Sequence, residues 1–196
     1  MKLLLVTPFP LYPTDTGGRI RTARIFERLS KTHDIGVVCF LPPGVPHEEL
    51  ARMHAFARRI EFVDWRGAPH FSAAFYGEVI ASLGSVLPYT VRKYRSRAFA
   101  GRLAALVAEE RYDVLVCDFL QPAVNCVDLN FRPKVLFQHN VEAEIFRRHA
   151  EARTAPHERM LFWWEYVKLA RFERRACHAF DACIAVSERD AELLRD

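Results

Sequence analysis

Lys2-Leu3-Leu4-Leu5-Val6-Thr7-Pro8-Phe9-Pro10-Leu11-Tyr12-Pro13-Thr14-Asp15-Thr16-Gly17-Gly18-Arg19 opens the chain and decides its fold. Residues 2–6 form a short apolar run, the pattern of a buried strand. Residues 8–18 hold three prolines and close on two glycines, so they read as a stiff loop. Arg19 then opens a helical spacing, with Ile20, Ala23 and Phe26 on one row and Ile25 and Leu29 on the adjoining row. Strand, stiff loop, Gly-Gly, helix is an order that aims bare backbone N–H groups and the positive end of a helix dipole at one place. Glycine there lets a ligand approach the backbone closely. An anion, a phosphate foremost, suits such a place. A plain turn before a helix uses the same residues, so the pattern alone leaves both readings standing. Neither GxGxxG nor a P-loop signature follows the strand, which argues against an ordinary dinucleotide site and against a P-loop NTPase.

The rest of the chain extends the same plan. Residues 34–40 read as a second strand, and the helix between it and the first is about three turns long, the usual length of a parallel crossover. A helix over 46–59 follows, with Leu50, Met53, Ala57 and Ile60 as its inner stripe, then a third strand over 60–64. Phe71, Phe75, Val79, Ile80 and Leu83 carry helical spacing up to Pro88. A basic loop and a helix over 96–110 come next, with Leu103, Leu106 and Val107 facing the core. Residues 112–118 and 134–138 read as the fourth and fifth strands, with a short helical turn over 124–127 between them. A short helix over 141–149 precedes the longest helical pattern, 156–179. That pattern holds Phe162, Trp163, Trp164, Tyr166, Leu169, Phe172 and Ala176, aromatics enough for nearly two faces. One face suits the sheet; the other is surplus, or meets a second domain. Residues 180–187 read as a sixth strand, and Ser187 caps a last helix over 188–196. The alternation predicts an α/β, Rossmann-like doubly wound fold with a mostly parallel sheet and helices on both faces.

Composition narrows the classes. The 196 residues are 51% hydrophobic and 27% charged, which supports a globular core. No apolar run approaches the ~18–20 residues that span a bilayer. Residues 3–6 are too short for a secretory apolar core, so a cytoplasmic protein is expected. The five cysteines are odd in number and form no CxxC pair. Cys39, Cys117 and Cys183 lie in strand-like runs and read as reduced, buried thiols. No Cys/His spacing suits a structural zinc site. The net charge of +4 does not call for nucleic acid. Within residues 89–102, however, Arg92, Lys93, Arg95, Arg97 and Arg102 occur with no acid and are interleaved with Tyr89, Tyr94 and Phe99. That stretch is either a solvated helix face with its loop, or a contact for an anionic acceptor or a membrane surface.

Ligands of such sheets bind at the C-terminal strand ends. The first end supplies Asp15, Gly17 and Gly18, with Arg19 or Arg21 as an added charge or as exposed helix arginines. The fourth supplies Asp118, the fifth Gln138-His139-Asn140-Val141-Glu142, and the sixth Ser187. His139 would orient a hydroxyl or shuttle a proton, or serve only as a core histidine. Asp118 would hydrogen-bond a sugar or hold His139. GxSxG is absent, so hydrolase chemistry is not indicated.

Three stretches taken together, residues 7–21, Gln138-His139-Asn140-Val141-Glu142 and Phe180-Asp181-Ala182-Cys183-Ile184-Ala185-Val186-Ser187-Glu188, resemble the N-terminal half of a GT-B glycosyltransferase. The closest subgroup is glycosyltransferase family four, the retaining group 1 enzymes. The resemblance spans essentially the whole chain. It implies that residues 1–196 are an acceptor-side domain and that a C-terminal nucleotide-sugar-binding domain of the same polypeptide lies outside this sequence. Gly17, Gly18 and Arg21 would meet the donor pyrophosphate, and His139 would lie at the transferred sugar as the catalytic residue. Asp15, Asp118, Asn140, Glu142 and Ser187 would line the cleft on the acceptor side. The implied reaction passes a sugar, of hexosyltransferase type, from a nucleotide-sugar to an acceptor hydroxyl with retention, with no cofactor and no metal. Acceptors would be glycans, lipid-linked or phosphorylated, in polysaccharide or cell-envelope synthesis, at the inner face of the membrane if residues 89–102 touch it. The chain alone is expected to be inactive. A non-catalytic Rossmann-like module that binds a sugar or a protein is the alternative. An NAD-type oxidoreductase lacks its glycine fingerprint.

Overall fold

The computed structural model describes residues 1–69 and 71–195. A single six-stranded sheet carries the fold: β1 (Lys2–Thr7), β2 (Asp34–Leu41), β3 (Arg59–Asp64), β4 (Val114–Asp118), β5 (Lys134–Gln138) and β6 (Ala182–Ala185). Their order is β3-β2-β1-β4-β5-β6, and every pairing is parallel. This is the doubly wound arrangement expected from the alternation. β1 sits at its centre, where the order reverses.

The apolar run of β1 explains that position. Leu3, Leu4, Leu5 and Val6 are all buried, and successive side chains point to opposite faces. Leu4 and Val6 join Val38, Phe40, Phe99, Leu103 and Leu115 in one core. Leu3 and Leu5 join Ile35, Val37, Phe26, Met53 and Phe56 in the other. A central strand must feed both layers, and only a run without alternation does so.

The helices are α1 (Gly17–Leu29), α2 (His47–Met53), α3 (Ala73–Leu83), α4 (Tyr89–Arg92), α5 (Arg97–Glu109), α6 (Glu142–Ala152), α7 (Pro156–Ala179) and α8 (Glu188–Arg195), with a 3-10 turn at Gln121–Asn125. α7 runs as its pattern predicts. Three expectations need correction. The helix expected over 46–59 stops at Met53: the N–H groups of His54, Ala55 and Phe56 turn to carbonyls three residues back, and Arg58 N–H already bonds Ile35 O on the neighbouring strand. In α1 the buried row is Thr22, Ala23 and Phe26, while Ile20 and Ile25 are exposed. The sixth strand is only four residues long, since Phe180 still closes α7. It pairs with β5 alone, and both Ile184 and Cys183 are exposed, so Cys183 is not the buried thiol expected. The last helix is described to Arg195; its expected end at Asp196 lies outside the described residues.

Candidate functional site

β1 and β4 are neighbours whose following segments leave in opposite directions, which opens a crevice above their C-terminal ends. Four of the expected residues meet there: Gly18, Arg21, Asp118 and His139. His139 follows β5 directly and is 6% exposed; Asp118 ends β4 and is fully buried. His139 Nε2 lies 2.8 Å from Asp118 Oδ1, and Arg21 Nη1 lies 3.0 Å from His139 Nδ1. Arginine can only donate and the carboxylate accepts, so the network assigns the neutral imidazole with its proton on Nε2. Asp118 therefore holds His139. Burial pushes the Asp118 carboxyl up from its ordinary value, while the bonds from His139 and Thr22 pull it down. Its second oxygen has no hydrogen-bond partner among the described residues.

Three members carry no role in the sequence reading. Thr22 Oγ1 donates to Asp118 Oδ1 at 3.0 Å and lies 3.3 Å from His139 Nε2. The ring of Phe119 packs on His139 at 4.3 Å between centroids, and Phe137 lies against it at 4.5 Å. Thr22 left a signal: it is a polar residue on the row of Phe26, at i and i+4. Phe119 stands with Asp118 at the end of the fourth strand in the sequence, but its stacking on His139 depends on a left-handed backbone, φ 69°.

The start of α1 lies beside this cluster. Thr16 caps the helix, its hydroxyl at 3.5 Å from Arg19 N–H, and no acid occupies the first turn. A Cβ on Gly18 would stand 2.5 Å from Phe119 Cζ and 3.5 Å from His139 Cγ, whereas one on Gly17 would meet nothing within 4 Å. So Gly17 opens onto space and Gly18 is the point where backbone and site touch. Among the described residues no hydrogen bond reaches the N–H of either glycine.

The remaining expected residues are placed differently. Asp15 is exposed and paired to Arg19 at 3.0 Å, outside the cluster. Ser187 is exposed and spends its hydroxyl on the cap of α8, accepting from Asp190 N–H at 3.1 Å. Asn140 is exposed beside His139. Glu142 begins α6; burial raises its carboxyl, with Gln121 and His139 countering. Its backbone N–H donates to Glu173 Oε1 at 3.0 Å and that of Ala143 to Glu173 Oε2 at 3.2 Å, so a carboxylate from α7 already fills the start of α6. Burial pushes Glu173 up to about 7.

Of the basic stretch 89–102, the aromatic side chains turn inward and part of the charge is held. Tyr94 and Phe99 are core residues, burial pulls the Lys93 ammonium below its usual range, and Arg102 is held by Glu61 at 2.9 Å. Among the described residues no group of three metal-binding side chains could hold an ion, and no helix is long and apolar enough to cross a membrane.

No protein-family model matches this sequence, and no curated protein matches it either. Solved structures do. A UDP-glucosyltransferase from Polygonum tinctorium capable of glucosylating indoxyl, in complex with 3,4-dichloroaniline, superposes with a TM-score of 0.52 at 13% identity, over 99% of this chain and 48% of that one. UGT89C1 of Arabidopsis thaliana complexed with UDP gives 0.50 at 12%, over 95% and 43%. UGT2 of Phytolacca americana, complexed with UDP-2-fluoro-glucose and pterostilbene, gives 0.51 at 11%, over 98% and 49%. The chain thus spans a little under half the length of each. At these identities the likeness is one of fold; it reaches GT-B glycosyltransferases and does not extend to family four. The six parallel strands and their helices are the Rossmann-like architecture of one domain of a GT-B glycosyltransferase.

Proposed function

We propose that this chain is the acceptor-side domain of a glycosyltransferase that moves a sugar from a nucleotide-sugar to an acceptor hydroxyl. One observation carries the reading: a neutral histidine, anchored through Nε2 on a buried aspartate, stands beside the open, acid-free start of a helix in the switch-point crevice. The amides of Gly17 and Gly18 and the guanidinium of Arg21 receive the donor pyrophosphate and stabilise the charge it gains as the bond to the sugar loosens. When Arg21 turns to the phosphates it leaves His139 Nδ1, and that lone pair then faces the transferred sugar or the incoming hydroxyl. In the overall step the bond from the anomeric carbon to phosphate oxygen breaks, the nucleoside diphosphate departs with the electron pair, a bond to the acceptor oxygen forms, and the acceptor proton passes to the departing diphosphate. Retention, membership of family four, hexosyl transfer and a role in polysaccharide or cell-envelope synthesis rest on the three sequence motifs. The rest of the donor site lies on a second domain, so residues 1–196 bind nucleotide-sugar weakly and transfer nothing alone.

Titration calorimetry of the chain with nucleoside diphosphates tests the site. Weak binding that falls about tenfold in Arg21→Ala supports it; binding unchanged in Arg21→Ala refutes it. The anomeric configuration of the product made by the complete reading frame decides retention.

A further inference from the structure

The most prominent feature that the crevice leaves unused is an apolar surface. Between Gly67 and Val91 the sequence has Glu78 as its only acid and no Lys or Arg. α3 lies within it and is apolar nearly all round. Such a helix is ordinarily buried, yet Ser82 is its only fully buried residue. Ile80 is 67% exposed and Val86, just beyond the helix, 88%. The first half of α7 continues the surface with Met160 at 71% and with Trp163 and Trp164 about half exposed. The two helices are joined, since the Trp164 indole N–H donates to Leu83 O at 3.1 Å and Lys168 Nζ to Ser82 O at 3.0 Å. Apolar residues scattered singly need no explanation; a joined set does.

Positive charge borders it. Arg66, Arg92 and Lys93 line a cavity of about 210 Å³ against Glu78 and Tyr89 at the side of α3. Arg92 reaches Glu78 O at 3.4 Å, and the exposed Arg95 and Arg97 follow. The surface also lies toward the crevice end of the sheet. Glu173 of α7 is level with the start of α6, just past β5, and Met160–Trp164 lies roughly 14–20 Å further along the helix in that direction.

We propose that this face docks on an anionic lipid bilayer, with Ile80, Val86, Met160 and Trp163 inserted at the boundary of headgroups and acyl chains and Arg66, Arg92 and Arg95 against the headgroups. The side chains protrude rather than line a recess. A protein partner would have to match each with a pocket, whereas a fluid bilayer accepts them without shape complementarity. Tryptophans beside apolar residues, with cations at the border, are the combination a membrane interface selects. The inference stands on this surface alone and is independent of the transferase reading.

The test is sedimentation of the chain with phosphatidylcholine vesicles and with vesicles containing an equal part of phosphatidylglycerol, at low and at physiological salt. Binding to the anionic vesicles is expected, weakened by salt and weaker still on neutral ones. Ile80→Ser, Val86→Ser and Met160→Ser each lower partitioning by about tenfold. Arg66→Glu with Arg95→Glu weakens binding to anionic vesicles only. Brominated acyl chains quench the tryptophan emission of the unmodified chain, which keeps the test independent of variant folding. No binding to anionic vesicles, no quenching, or a self-association that the Ser variants abolish would each overturn the proposal.

Discussion

Replacing each glycine of the Gly17-Gly18 pair by alanine separates a residue that is open from one that is in contact, and needs no substrate. At Gly18 the new Cβ would stand 2.5 Å from Phe119 Cζ and 3.0 Å from Cε1, against the roughly 3.5–4.0 Å of ordinary carbon contact. The ring must retreat by about 1 Å, and it is pinned by its packing on His139 at 4.3 Å and by its own left-handed backbone. Overpacking of this kind costs about 1–3 kcal/mol. Alanine recovers about 0.4–1 kcal/mol by restricting the unfolded chain, which leaves Gly18→Ala destabilised by about 1–2 kcal/mol. Gly17→Ala meets nothing within 4 Å and keeps the gain of about 0.4–1 kcal/mol. The gain is common to both, so the two variants differ by the overpacking cost, about 1–3 kcal/mol, or roughly 2–12 °C in Tm for a chain of this size. Differential scanning calorimetry reads the difference. In a Phe119→Leu background the cost of Gly18→Ala should fall by at least about 1 kcal/mol, as expected for residues in contact. Equal Tm values for the two alanine variants, or a Gly18→Ala cost indifferent to Phe119, would refute the placement of Gly18 against the site.

Further outcomes follow from the same contacts. Thr22→Val keeps the shape but removes the hydroxyl that donates to Asp118, and should cost about 1–3 kcal/mol in urea unfolding, because the buried carboxylate loses a donor. Glu173 is raised from 4.5 to about 7 by burial, so between those values the native state binds more protons than the unfolded one and stability falls as pH rises. The decline should amount to roughly 3 kcal/mol over that window, and Glu173→Gln should remove most of it in denaturant titrations run across the range. Arg21→Ala removes the donor to Nδ1 of the buried His139 and should cost about 1–3 kcal/mol, so its nucleotide binding is compared well below its own Tm, where both forms are folded.

The fold was legible because its signals are local. Leu3–Val6, Val37–Phe40 and Leu115–Cys117 are strands that only a parallel sheet can bury on both faces, and the 24-residue pattern of α7 fixed its own ends. Periodicity states which residues share a row; it does not state which row meets the sheet. That is why Ile20 and Ile25 face outward while Thr22 is buried. It is also why Tyr94 and Phe99, interleaved with arginines, sit in the core, while Trp163 and Trp164 do not.

The sequence by itself determined the strand–helix alternation, the glycine pair at the start of α1, and the polar residues at the ends of β4 and β5, since each follows from neighbours a few positions apart. Only the tertiary structure decided that Asp118 holds His139 across 21 residues and that Thr22 reaches the same carboxylate across 96. Those bonds exist because β4 seats between β1 and β5 in the sheet. Strand order is set by which buried faces fit together across the whole chain, and no local pattern encodes it.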